Sequence, residues 1–229
     1  MTAPNLPVPR RAVGMRIAVA LFAVVAVGLV LGRASDWVSF SWLETFGVLT
    51  GAACVLLVVA RSVWNFPVGI VSCAAFILLF AEGKLYADAG LQVAFIALNL
   101  VGWWAWASRT GSVKPVTHVP FGEMTVLAVA FPVVWLGLTQ LLESVGGASP
   151  PFDAFVTTLS LVSQWLLNRR YVESWLGWIV VDQVSVVLFW SRGMHLTAVL
   201  YAVFLVMCVA GLTEWRRDLR SHPSKEARS

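Results

Sequence analysis

Eight long apolar runs, separated by short stretches where charge, glycine and proline gather, constrain this chain more than any other feature of it. They are Val13–Gly32, Trp42–Ala60, Trp64–Ala81, Ala87–Ala107, Glu123–Leu142, Phe152–Leu167, Val172–Trp190 and Leu196–Trp215. A helix needs ~20 mostly apolar residues to cross ~30 Å of hydrocarbon, and each run comes near that length. Barrel strands alternate over about ten residues, whereas these runs are continuous and longer, so the backbone has to satisfy its own hydrogen bonds as helices. Composition agrees. The 229 residues are 59% hydrophobic and 12% charged, with mean hydropathy +0.81, against ~25% charged in a typical soluble domain. Such a chain cannot cover its apolar surface with polar groups, and lipid has to solvate much of it. The expected class is an all-α polytopic membrane protein of about eight transmembrane helices.

Charge placement orients the runs. Arg10, Arg11, Arg16, Arg61, Arg109, Lys114, Arg169, Arg170, Arg216, Arg217, Arg220, Lys225 and Arg228 fall on one side of the alternating spans, and only Arg33, Lys84 and Arg192 on the other. The positive-inside rule makes the rich side cytoplasmic and puts both termini there. The net charge of +4 is thereby explained by topology, and no nucleic-acid partner is expected. The first run, ~18 apolar residues, exceeds the h-region of about 7–15 of a cleaved signal peptide, so it is expected to remain as an additional N-terminal helix over 13–32, behind a cytoplasmic tail over 1–12. Cys54, Cys73 and Cys208 lie inside apolar runs with no metal-ligand spacing. No disulfide, metal or cofactor is expected.

Compared with itself at an offset of 109 residues, the chain pairs Glu44 with Asp153, Arg61 with Arg170, Gly102 with Gly211 and Trp106 with Trp215. Aliphatic matches mean little in so apolar a sequence; these do not recur easily by chance. They make 42–107 and 152–215 equivalent three-helix repeats, with the run at 123–142 as a linker helix and 216–229 as a basic cytoplasmic tail. Three helices reverse the chain's direction, and one further crossing restores it, so the repeats are parallel. Transporters of this kind hold substrate near the bilayer midplane between the repeats.

Polar residues inside the runs lie on definable faces. Gln92, Asn99, Trp103 and Trp106 share one side of the fourth helix, and Trp175, Trp178, Asp182 and Ser185 one side of the seventh. Asn65 and Ser72 stand seven apart on the third, around Pro67 and Gly69; Thr157, Ser160, Gln164 and Asn168 line the sixth. A buried amide costs kcal/mol unless paired, so Gln92 and Asn99 have to face protein or a watery cavity. Ser160 and Gln164 are read as bridges between helices. Trp37, Trp42, Trp190 and Trp215 are assigned to the interfacial belt, and Trp103, Trp104 and Trp106 fit either the belt or a ligand site. Gly28-x-x-x-Gly32 and Gly47-x-x-x-Gly51 are candidate close contacts. Asp182 stands apart. It lies about 15 Å along its helix, with no lysine or arginine at that depth in any span, so it has to be neutralised by a proton, hydrated, or matched to an arriving cation. Its neighbouring indoles suit a flat or cationic solute.

The segments Ser41-Trp42-Leu43-Glu44, Trp64-Asn65-Phe66-Pro67-Val68-Gly69-Ile70, Leu85-Tyr86-Ala87-Asp88, Gly102-Trp103-Trp104-Ala105-Trp106 and Tyr171-Val172-Glu173-Ser174-Trp175 with Trp178-Ile179 resemble the PnuC family of vitamin transporters, over roughly Ser41 to Trp215. That resemblance implies a three-plus-one-plus-three core similar to the SWEET sugar transporters, a homotrimer in a bacterial plasma membrane, and facilitated uptake of nicotinamide riboside trapped by a cytoplasmic kinase. It also implies that Asn65, Gln92, Asn99, Trp103, Trp175, Trp178 and Asp182 line the substrate site. Many relatives resemble one another in carrying Asn where this chain has Asp182, which leaves thiamine or another vitamin, or a proton-coupled variant, as alternatives. An enzyme is not expected: His118, His195 and His222 lie in loops or at a span edge, and no H-E-x-x-H, G-x-S-x-G or P-loop occurs. A receptor or structural membrane protein is the remaining class.

Overall fold

The structure, a computed structural model, describes residues 11–35, 41–82, 86–107, 115–146, 149–191 and 195–221. Among them run eight helices: α1 (Arg11–Ala34), α2 (Trp42–Val59), α3 (Asn65–Glu82), α4 (Tyr86–Ala107), α5 (Phe121–Ser144), α6 (Pro150–Asn168), α7 (Ser174–Ser191) and α8 (His195–Ser221). Their bounds follow the apolar runs within a few residues, because charge and proline end what hydropathy begins. The Ser41 side chain caps α2 by accepting from the Glu44 N–H at 3.0 Å, and Pro150 and Pro151 open α6. The exception is α8, which continues beyond Trp215 to Ser221 and takes part of the expected tail into helix. Arg10, Trp37, Lys84, Leu85, Arg109, Lys114, Arg192, His222, Lys225 and Arg228 lie outside the described residues.

Six helices, α2, α3, α4, α5, α7 and α8, are long and apolar enough to cross a membrane. In α1 the described apolar stretch is Ala18–Ala34, part of a 24-residue helix. Helix α6 is polar because protein surrounds it: Thr158, Ser160, Ser163, Gln164 and Asn168 are all buried. Gln164 donates to Asn168 Oδ1 at 3.3 Å, and Asn168 donates to the Leu98 carbonyl of α4 at 2.7 Å. A hydropathy threshold measures exposure to lipid, and α6 has little.

Helices α2, α3 and α4 pack in succession, as do α6, α7 and α8; between the two sets, α4 lies on α6 and α2 on α8. The outlying helices are α1, on α2 and α8, and α5, on α6. No side chain of α5 is fully buried. It is held by Trp135, whose Nε1 donates to the Pro151 carbonyl at 2.9 Å, and by Phe131 and Trp135 set edge-on to Phe155. A strap before it, residues 115–120, runs beside the α6–α7 connection: Thr117 N–H donates to the Arg170 carbonyl and Val172 N–H to the Thr117 carbonyl. Glu173 completes the strap, accepting from Val119 N–H at 3.1 Å with His118 Nδ1 at 2.7 Å.

The core gathers at one end of the bundle, around Val58, Val59, Val116, Leu167, Trp175, Leu212 and Trp215. Here the structure corrects the belt assignment of Trp215. Its side chain is 0% exposed and its Nε1 donates to the Val58 carbonyl at 3.3 Å. Trp42 and Trp190, more than half exposed, do suit the belt. Two packing units recur at the 109-residue offset. Phe66 meets Trp106 edge-on at 5.0 Å, and Trp175 meets Trp215 edge-on at 5.5 Å. Gly102 lies against the Phe66 ring and Gly211 against the Trp175 ring, each so closely that a Cβ would overlap it. Gly47 and Gly51 press α2 onto Phe76 and Ser72 of α3, whereas Gly28 has open space around it. Gly102→Ala and Gly211→Ala are therefore expected to destabilise the fold by roughly 1–3 kcal/mol each through overpacking, and Gly28→Ala to leave it unchanged. Thermal unfolding in detergent tests all three; equal behaviour of Gly28 and Gly211 variants would contradict the packing described.

Candidate functional site

The middle of the bundle is built from two walls. One is α3 with α4, the other α7 with α8. Among the described residues, α4 and α7 have no Cα pair within 8 Å, and aromatic side chains span the separation: Phe95 of α4 and Trp178 of α7 lie 6.4 Å apart, centroid to centroid, tilted at 34°.

On the second wall, Asp182 sits at the middle of the 18-residue α7 and is 5% exposed. Cys208 and Tyr201 of α8 are its neighbours on the second wall. Tyr201 is itself fixed by stacking on Phe189 at 5.2 Å and by an edge contact with Phe204. Asp182 Oδ2 is buried and has no hydrogen-bond partner among the described residues. The same holds for Ser174 Oγ and Trp175 Nε1, earlier on α7. Buried polar atoms in native proteins are nearly always satisfied by protein or by ordered water, and of these three only Asp182 Oδ2 lies at the middle of α7.

The first wall carries amides. Asn99 is buried; its Nδ2 donates to the Phe95 carbonyl at 2.9 Å, and its side chain lies over Gly69, where a Cβ would crowd it. Asn65, at the start of α3, donates to the Ser62 carbonyl at 2.6 Å, and its own carbonyl accepts from the Cys54 thiol at 3.2 Å. Gln92 is half-buried two turns from Asn99. The seven residues expected from sequence are thus not one contact cluster. Asn99, Gln92, Trp178 and Asp182 belong to the two walls. Trp175 is 1% exposed, sealed against Trp215 in the core, and Trp103 is 39% exposed. Sequence reading passed over Phe95, Tyr201 and Cys208. A signal for the last two existed, since they stand 109 residues after Gln92 and Asn99.

Nothing in this arrangement resembles a catalytic constellation, and no group of His, Cys, Asp and Glu among the described residues is placed to hold a metal. Asn99 lies against Gly69 within the first wall and Asp182 beside α8 within the second, and the Phe95–Trp178 pair is the contact between α4 and α7 among the described residues.

Residues 41–217 match the family model described as nicotinamide mononucleotide transporter. The chain is 27% identical over 213 residues to the nicotinamide riboside transporter PnuC of Escherichia coli strain K12, covering 81% of this chain and 89% of that one. It is 28% identical over 192 residues to the riboflavin/roseoflavin transporter RibM of Streptomyces davaonensis, covering 78% and 88% respectively. A crystal structure of the vitamin B3 transporter PnuC superposes with a TM-score of 0.71 at 24% identity over 94% of each chain, a likeness of fold. With a family model matched over most of its length, an all-helical multi-pass architecture and the fold of a solved member, the chain belongs to the nicotinamide mononucleotide transporter family, the PnuC family of bacterial membrane transporters.

Proposed function

We propose that the protein takes up nicotinamide riboside by facilitated diffusion, binding it between the two walls and exposing it alternately to either side. The observation that carries this reading is the buried carboxylate of Asp182, lacking a partner at Oδ2 among the described residues and lying one turn from Trp178, which meets Phe95 of α4. Nicotinamide riboside is a pyridinium cation with an amide and a ribose. Its ring can lie against Trp178, its charge or hydroxyls can meet Asp182, and its amide can exchange hydrogen bonds with Gln92 and Asn99. Asn65 and Trp175 support these groups from behind, Trp175 by packing against Trp215. Trp103 takes the belt alternative.

The recurrence of Phe66–Trp106 as Trp175–Trp215 supports two parallel repeats, 42–107 and 152–215, joined by a linker at 123–142. Both termini lie on the cytoplasmic side in this reading, since Arg61, Arg169, Arg170, Arg216 and Arg217 gather at one end of the bundle. A homotrimer and a cytoplasmic kinase that traps the imported nucleoside complete it.

Counterflow in proteoliposomes is the test. Labelled nicotinamide riboside is expected to enter vesicles preloaded with the unlabelled compound, unchanged in chemistry and insensitive to a protonophore. Riboflavin and thiamine in excess are expected to compete weakly. Complete competition by riboflavin with none by nicotinamide riboside would reassign the substrate, and collapse by a protonophore would replace facilitation with proton coupling.

A further inference from the structure

Helices α2 and α6 end alike, and in an unusual way. Arg61 N–H donates to the Val58 carbonyl and Ser62 N–H to Leu57; Arg170 N–H donates to Leu167 and Tyr171 N–H to Leu166. These are Schellman ends, and the left-handed position that glycine normally takes is filled by Arg61 at φ 58° and Arg170 at φ 62°. A non-glycine residue there costs roughly 1–2 kcal/mol. Strain of this kind, present twice at positions 109 residues apart, points to a use for the side chains.

Both guanidinium groups reach the last helix of the other triplet. Arg61 pairs with Asp218 of α8 at 2.5 Å, and Arg170 lies 3.7 Å over the centroid of the Trp106 ring of α4. Trp106 in turn donates from Nε1 to the Asn168 carbonyl of α6 at 3.0 Å, and Trp215 of α8 to the Val58 carbonyl of α2. Each triplet's third helix is therefore fastened to the end of the other triplet's first. The two fastenings are joined electrically, because burial and the neighbouring Arg61 hold the Arg170 guanidinium down at about 10 while Asp218 pulls it up. Asp218 is itself buried.

We propose that Arg61, Arg170, Asp218, Trp106 and Trp215 form a latch that closes the bundle at this end, and that substrate leaves there only when the latch parts. The inference rests on the carrier reading above, and the latch end is the cytoplasmic one in that orientation. The state described is latched. Because a salt bridge, a cation–π contact and two indole–carbonyl bonds all link one triplet to the other, separating the triplets at this end breaks them together. The latch is thus two-state, and weakening one member shifts the population toward the open form.

The test uses full-length protein in vesicles with a reporter Ser174→Cys, a fully buried position at the start of α7, on the latch end. Labelling by a membrane-impermeant maleimide, corrected for a parent without the reporter, is followed separately from each face. Asp218→Asn is expected to speed labelling about tenfold from the latch face alone, Arg61→Gln to act alike, and Asp218→Glu to stay near the parent rate. A rate that does not change in either Asp218→Asn or Arg61→Gln, or that rises equally from both faces as general loosening would produce, overturns the latch. No substrate enters the assay. A failure of the nicotinamide riboside reading would show in counterflow and leave the labelling result untouched.

Discussion

Asp182→Ala is expected to abolish uptake at micromolar nicotinamide riboside while leaving the protein at least as stable as before. The two expectations follow from one fact. A carboxylate buried at 5% exposure, with Oδ2 lacking a hydrogen-bond partner among the described residues, contributes little to folding and is costly to desolvate. A hydrogen bond to a charged group contributes about 1.5–3 kcal/mol, so losing it at the substrate raises KM roughly 10- to 150-fold. Asp182→Asn keeps the shape, removes the charge and is expected to fall between. Uptake kinetics in proteoliposomes and thermal unfolding of the same preparations supply both readouts. Wild-type uptake by the Ala variant, or a large loss of melting temperature with it, would make Asp182 a structural group and leave the substrate site to be found elsewhere.

The second large effect concerns stability. Trp215→Ala is expected to destabilise the fold by roughly 3–5 kcal/mol, the usual cost of truncating a buried indole, and to do so without altering substrate preference. Trp215 is fully buried, edge-on to Trp175 and bonded through Nε1 to Val58. Trp190→Ala, at an indole 58% exposed, is expected to cost under about 1 kcal/mol. Melting curves of the two variants side by side decide the matter. Similar small shifts would return Trp215 to the membrane interface.

That contrast shows what was legible and what was not. Both residues end an apolar run and both are followed closely by arginine, so hydropathy treats them alike. What separates them is the partner. Trp215 lies above Val58, 157 residues earlier in the chain, and no local pattern encodes that contact. The offset comparison comes nearest, since it aligns Trp215 with Trp106, and the structure gives both a carbonyl of the opposite triplet. The same comparison would have flagged Tyr201 and Cys208 beside Asp182. It could not show that Trp175 is sealed in the core while Trp178 faces Phe95, because their spacing on α7 puts both on one broad face.

Helix α6 makes the complementary point. Its polar residues weaken its span signal, and they are polar for the reason that α4 and α7 cover them. The sequence alone determined the number, order and approximate ends of the helices, because the bilayer demands a long apolar stretch for every crossing and charge marks each exit. It also singled out Asp182, since a carboxylate in the middle of such a stretch is too expensive to be incidental. Only the tertiary structure decided which wall each polar residue joins, which indoles are core, and that two strained arginines meet across the triplets, because those depend on contacts between helices distant in the chain.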